Sequence, residues 1–159
     1  MITIVASDVA GMRSIGAAIA GALSKFNTPM VIALEGELGA GKTTLVGGVL
    51  NALGFRGHVR SPTYTLIEPY EFGDRSVYHL DLYRLTDPRE VDPLGLRDLL
   101  QPGSVFLIEW PERGEGFLPP ADVTICLRYV GVLGRDLSLG AHSKPGQSVV
   151  DAVSAAAKS

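Results

Sequence analysis

Residues 36–43, Gly-Glu-Leu-Gly-Ala-Gly-Lys-Thr, fit the spacing Gly-x-x-x-x-Gly-Lys-Ser/Thr. The chemistry of phosphate binding explains each residue type. Glycines let backbone N–H groups curl around a phosphate chain that a side chain would keep at a distance. Lys42 places a cation on the terminal phosphates, and the Thr43 hydroxyl is a ligand suited to Mg²⁺. A helix starting at this point aims the positive end of its dipole at the anion. A Gly-rich turn with an incidental lysine is the plain alternative. The pattern, however, lies between an apolar run, Met30–Leu34, and an amphipathic stretch carrying Val46, Val49, Leu50 and Leu53, which is the strand–loop–helix setting that phosphate binding needs.

Two acids extend this chemistry. Glu109 follows the apolar run Val105–Ile108, at the C-terminal end of a strand, where ligands bind in parallel sheets. It is placed to hold a metal or to orient an attacking water. Asp81 shares an alternating face with Val77, His79 and Tyr83, a poor composition for a purely apolar core. A salt bridge to Arg84 and a place in a Mg²⁺ shell are both open to it. The stretch Ser61-Pro62-Thr63-Tyr64-Thr65 offers Thr63 as a hydroxyl that could sense a terminal phosphate, with a turn entering a strand as the simpler reading. His58 and His142 read as surface residues, and Cys126 as a small filler in a strand.

The elements that must position these groups follow from periodicity. Residues 2–6 read as a strand, and Ser7 or Asp8 caps a helix whose face is Met12, Ile15, Ala18, Ile19, Ala22 and Leu23, ending by Asn27 and Pro29. Gly54 stops the second helix. Residues 58–72 suggest an extended loop entering a strand, and 76–83 alternate as a strand. A short helical stretch interrupted near Pro93 lies between Arg89 and Leu100, and two late strands cover 122–129 and 135–139. Gly47 and Gly48 inside the second helix cost about 1 kcal/mol each relative to Ala, which calls for a close helix or partner contact. The tail from Gly146 reads as a loosely docked helix or a fraying end. The chain is expected to form a single domain over 1–159, with no linker and no second core.

Composition narrows the function classes. Fourteen Lys plus Arg against seventeen Asp plus Glu give a net charge of −3, and the basic residues are dispersed. Autonomous nucleic-acid binding normally needs a basic patch, so it is not expected. One cysteine excludes an internal disulfide framework. No apolar run approaches a membrane span, and a cytoplasmic location is expected.

Four ordered motifs carry a resemblance: Leu38-Gly39-Ala40-Gly41-Lys42-Thr43-Thr44, Ser61-Pro62-Thr63-Tyr64-Thr65-Leu66, His79-Leu80-Asp81-Leu82-Tyr83-Arg84-Leu85 and Ile108-Glu109-Trp110-Pro111. From about Val31 to Leu127 the chain resembles the TsaE (YjeE) family, small bacterial ATPases of the tRNA threonylcarbamoyladenosine pathway. The resemblance implies an α/β, single-domain P-loop NTPase fold with a mixed, mostly parallel central sheet flanked by helices. It implies Mg²⁺-dependent hydrolysis of ATP to ADP, and association with a TsaD–TsaB pair that meets the tRNA. ATP turnover would then reset that synthase between rounds. By the same resemblance Gly39, Ala40, Gly41, Lys42, Thr43 and Thr44 hold the phosphates, with Lys42, Asp81 and Glu109 catalytic. Thr43 and Glu109 share the Mg²⁺ site, and Asp81 acts at the metal or the attacking water. Thr63 and Tyr64 fall in a switch-like segment, Trp110 lies beside the nucleotide, and Glu112 and Arg135 border it. The chain departs from the family at Met12, where a threonine is usual.

Rival readings are a small-molecule kinase and a GTP-dependent switch. A kinase lid would carry clustered arginines, whereas these are scattered. Guanine selectivity normally uses Asn/Thr-Lys-x-Asp, and no lysine here has Asp two residues later. A catalytically silent nucleotide-binding subunit stays open.

Overall fold

A computed structural model describes residues 1–157. Strand β1 (Ile2–Ala6) leads to helix α1 (Val9–Leu23), capped by Asp8, whose carboxylate accepts from the Gly11 N–H at 2.8 Å. The helix ends at Leu23, short of the expected Asn27 and Pro29. Next come β2 (Met30–Gly36), α2 (Lys42–Leu53), β3 (Ile67–Phe72) and β4 (Arg75–Asp81). A 3-10 segment, Pro88–Leu94, and the short α3 (Leu96–Leu99) precede β5 (Ser104–Glu109). Pro93 breaks this stretch as expected, because its ring removes a donor and crowds the preceding turn. A second 3-10 turn, Pro111–Gly114, is followed by β6 (Val123–Val130), β7 (Gly134–Ala141) and α4 (Lys144–Ala157).

The seven strands form one sheet in the order β1-β7-β6-β2-β5-β4-β3. Its centre, β6-β2-β5-β4, is parallel, and both margins are antiparallel. The continuous apolar runs of β2 and β5 therefore sit where both faces are covered. Met30, Ile32, Leu34, Val105 and Leu107 face α1, α2 and α4, while Val31, Phe106 and Ile108 join Leu80, Leu82, Val91 and Leu96 on the other side. The tail from Gly146 belongs to α4, seated by the buried Val149, Val150 and Val153 against the same core as α1. Of the two expected forms of this tail, the helical one is found.

The two helix glycines separate. A Cβ on Gly48 would stand 2.8 Å from the Arg13 carbonyl and 2.9 Å from its Cα, so Gly48 lets α1 and α2 cross closely. Gly47 faces Val59 at an ordinary 3.7 Å. Gly48→Ala should lower the free energy of unfolding by about 1–3 kcal/mol through overpacking. Gly47→Ala should be neutral or gain up to about 1 kcal/mol from helix propensity. Urea denaturation of the two variants checks the contrast.

Candidate functional site

β2 ends in the loop 37–41, and α2 begins at Lys42 with no side-chain cap. The N–H groups of the first turn of α2 therefore lack both helical and side-chain partners, which suits an anion. Gly39 has φ +80°, a conformation that favours glycine, and a Cβ there would lie 2.8 Å from the Tyr129 hydroxyl and displace it. Met12 is buried with its methyl group against Gly41, making apolar backing to the loop.

The carboxylates arrive from the sheet. β5 lies between β2 and β4, with Glu109 in register with both Leu34 and Asp81. Glu109 is 3% exposed. It accepts from the Thr43 hydroxyl at 2.9 and 3.1 Å and from His79 Nε2 at 2.6 Å. Asp81 does not pair with Arg84. Its carboxylate accepts from the Ser61 hydroxyl and from the Tyr83 N–H at 3.0 Å, while Arg84 lies over the Tyr64 ring and donates to its hydroxyl at 3.0 Å.

Lys42 is buried, donates to the carbonyls of Gly36 and Glu37, and places its ammonium 3.8 Å from the centroid of the Trp110 ring. Trp110 holds φ at +58°, a costly conformation for an aromatic residue, at the start of the 3-10 turn that follows β5.

One cleft of about 390 Å³ collects Leu38, Gly39, Gly41–Thr44, Ser61, Thr63, Asp81, Tyr83, Glu109 and Trp110. A larger cleft of about 770 Å³ opens beside α3 and residues 116–120, away from the phosphate-type loop. Volume does not single out the first cleft; its chemistry does. Two acids, an ammonium, hydroxyls and an uncapped helix start converge there.

Four expected positions lie outside this lining, among them Ala40, whose side chain is buried in the core. Tyr64 is 80% exposed on the Arg84 side of its loop, and Glu112 is exposed on the turn after Trp110. Arg135 lies behind the loop and donates to the Ala40 carbonyl at 3.0 Å. His79, Ser61 and Tyr129 are the positions that residue-by-residue reading missed. A histidine on the Asp81 face was a visible signal for the first. The hydroxyl opening the Ser-Pro-Thr stretch was one for the second, and nothing in the pattern marks Tyr129.

Among the described residues no group of three or more His, Cys, Asp or Glu could cage a metal. Mg²⁺ does not need such a cage, because it keeps several waters and shares phosphates with one or two carboxylates. The Thr43 hydroxyl, with the Glu109 and Asp81 carboxylates on adjacent strands, fits that requirement.

The chain resembles known proteins along most of its length. The family model for threonylcarbamoyl adenosine biosynthesis protein TsaE matches residues 6–136. A tRNA threonylcarbamoyladenosine biosynthesis protein TsaE from Haemophilus influenzae is 42% identical over 149 residues, covering 92% of this chain and 94% of that one. Its counterpart from Bacillus subtilis is 39% identical over 111 residues, covering 70% and 69%. The crystal structure of Bacillus subtilis YdiB superposes with a TM-score of 0.79 at 26% identity, covering 97% of this chain and 94% of that one. Among the described residues no helix is long and apolar enough to cross a membrane.

Burial holds the Lys42 ammonium below the ordinary lysine value of 10.5, with Glu109, Glu112 and Asp81 acting in the opposite direction. The folded chain thus gives up that proton more readily than the unfolded chain. Stability from this group rises with pH between the lowered folded value and 10.5. The stability difference between wild type and Lys42→Met should therefore move in favour of the wild type as pH rises toward 10.5. Denaturant melts across that range measure it.

Proposed function

The chain belongs to the TsaE family, and on that premise we propose that it is a Mg²⁺-dependent ATPase that resets a TsaD–TsaB synthase between rounds of tRNA N6-threonylcarbamoyladenosine formation. Family membership supports a part in threonylcarbamoyladenosine biosynthesis. The observation that supports ATP turnover is the convergence of Lys42, Thr43, Asp81 and Glu109 in the cleft of the glycine loop.

Each residue then has a task. Backbone N–H groups of the loop and of the first turn of α2 bind the phosphates, and Lys42 leaves its loop carbonyls to meet the terminal ones. Thr43 and Glu109 would hold Mg²⁺, which neutralises charge on the phosphate oxygens when bound. His79 and Thr43 fix the Glu109 carboxylate by hydrogen bonds, so it is oriented before ligand arrives. Asp81, fixed by Ser61 and the Tyr83 N–H, orients the attacking water and accepts its proton. Trp110 and Tyr83, with centroids 5.0 Å apart, form an aromatic wall that limits water. Thr63 lines the same cleft and is placed to respond to the terminal phosphate.

The kinase reading gains nothing from the arginines nearby. Arg113 donates to the Tyr83 carbonyl at 2.6 Å, and Arg135 is engaged with loop carbonyls. A net charge of −3 also favours tRNA held by partner subunits over tRNA held by this chain.

Lys42→Ala should weaken nucleotide binding by roughly two orders of magnitude, the scale of a charged hydrogen-bonding group lost from a phosphate. Glu109→Gln should retain binding while turnover falls by about 10²-fold or more. Calorimetry and phosphate release separate the two effects. The cellular role is tested by reconstituting tRNA threonylcarbamoylation with TsaD and TsaB. Multiple turnover should depend on this protein and on ATP hydrolysis, and full multiple turnover in its absence would overturn the assignment.

A further inference from the structure

The back of the phosphate-type loop is held by side chains from a hairpin distant in sequence. Tyr129 and Arg135 are direct cross-strand partners on β6 and β7. The Tyr129 hydroxyl donates to the Leu38 carbonyl at 2.8 Å. Arg135 donates from Nη2 to the Gly39 carbonyl at 3.4 Å and from Nε to the Ala40 carbonyl at 3.0 Å. Three successive loop carbonyls therefore accept from one hairpin. Arg135 is itself fixed, because Nη1 donates to the Gly134 carbonyl at 2.8 Å and its guanidinium lies 4.3 Å from the centroid of the Tyr129 ring.

Peptide planarity gives this arrangement its consequence. Among the described residues no peptide bond is cis, so each C=O points opposite to the N–H of the next residue. Drawing the carbonyls of Leu38, Gly39 and Ala40 toward the hairpin turns the N–H groups of Gly39, Ala40 and Gly41 away from it. The Ala40 N–H is taken by the Glu37 carbonyl at 3.0 Å, which closes the loop on itself. The Gly39 and Gly41 N–H groups are left directed toward the cleft side.

We propose that Arg135 and Tyr129 are positioning residues that preorganise the loop for a phosphate chain, acting from behind it and without touching the ligand. The proposal rests on the nucleotide reading above for the identity of the ligand. Preorganisation raises affinity because the loop does not have to be ordered when the anion arrives. The geometry selects arginine: a guanidinium fork reaches two adjacent carbonyls while stacking on a ring, and an ammonium does not.

Two measurements on Arg135→Met, Arg135→Lys and Tyr129→Phe test this. The first is hydrogen exchange of the Ala40 amide, the loop N–H that the Glu37 carbonyl protects, in the nucleotide-free protein. The second is ADP affinity by calorimetry in Mg²⁺ buffer. Arg135→Met should speed exchange at the loop by about tenfold and weaken ADP by about tenfold, with Arg135→Lys recovering only part of either. Tyr129→Phe should show a smaller loss, roughly threefold to fivefold. Exchange at α4 should not change, which separates a local clamp from general destabilisation. Unchanged loop exchange in Arg135→Met overturns the proposal, and so does faster loop exchange with undiminished ADP affinity. If loop exchange rises and the wild type itself binds no ADP, the clamp stands and the nucleotide reading falls.

Discussion

A carboxylate buried to 3% exposure is the constraint around which this molecule is arranged. An unpaired charge in such a place costs several kcal/mol, so Glu109 is tenable only with donors held against it. Thr43 supplies one from the first turn of α2 and His79 supplies another from β4. Both donors arrive because β5 is inserted between β2 and β4, which brings the loop after β2 and the end of β4 to one edge. Strand order, helix start and hydrogen bonding are therefore three aspects of the same placement. Losing any one donor leaves a buried charge poorly satisfied.

The loop faces this carboxylate from the other side and is itself supported twice. Met12 and the closely crossing α1 pack apolar surface beneath Gly41 and α2, while Arg135 and Tyr129 draw the loop carbonyls outward. The antiparallel margin β1-β7-β6 is thus more than an edge to the parallel centre, because its hairpin carries the groups that shape the loop. The opposite face of the sheet is covered by 3-10 segments, α3 and loop residues that include Leu66, Leu85 and Leu118. The catalytic chemistry we propose lies entirely at the C-terminal edge of the central strands, as expected for a parallel sheet.

Much of this was legible in the sequence because local chemistry fixes it. The glycine-lysine-threonine spacing located the loop, and the fully apolar runs before Gly36 and Glu109 located the two central strands. The mixed sheet with a parallel centre follows the resemblance carried by the four motifs. What escaped depends on contacts between residues far apart. Asp81 and Arg84 are near in sequence and suggest a pair, yet Asp81 turns to Ser61, twenty residues upstream. Arg135 was expected to border the nucleotide, and only the hairpin register shows it behind the loop, bonded to Ala40 95 residues away. The final helix was legible only as one of two forms for the tail. Its alanines and serines look like a loose tail, whereas three valines spaced along one face dock it.

Trp110 offers the most direct measurement, since it is the single tryptophan and its ring meets the Lys42 ammonium at 3.8 Å within the cleft. Its fluorescence, followed while ADP is titrated in Mg²⁺ buffer, reports whether this cleft takes a nucleotide. The wild type should show a saturable change that disappears in Lys42→Ala. No saturable change in the wild type, with no heat of binding by calorimetry, would contradict nucleotide binding there.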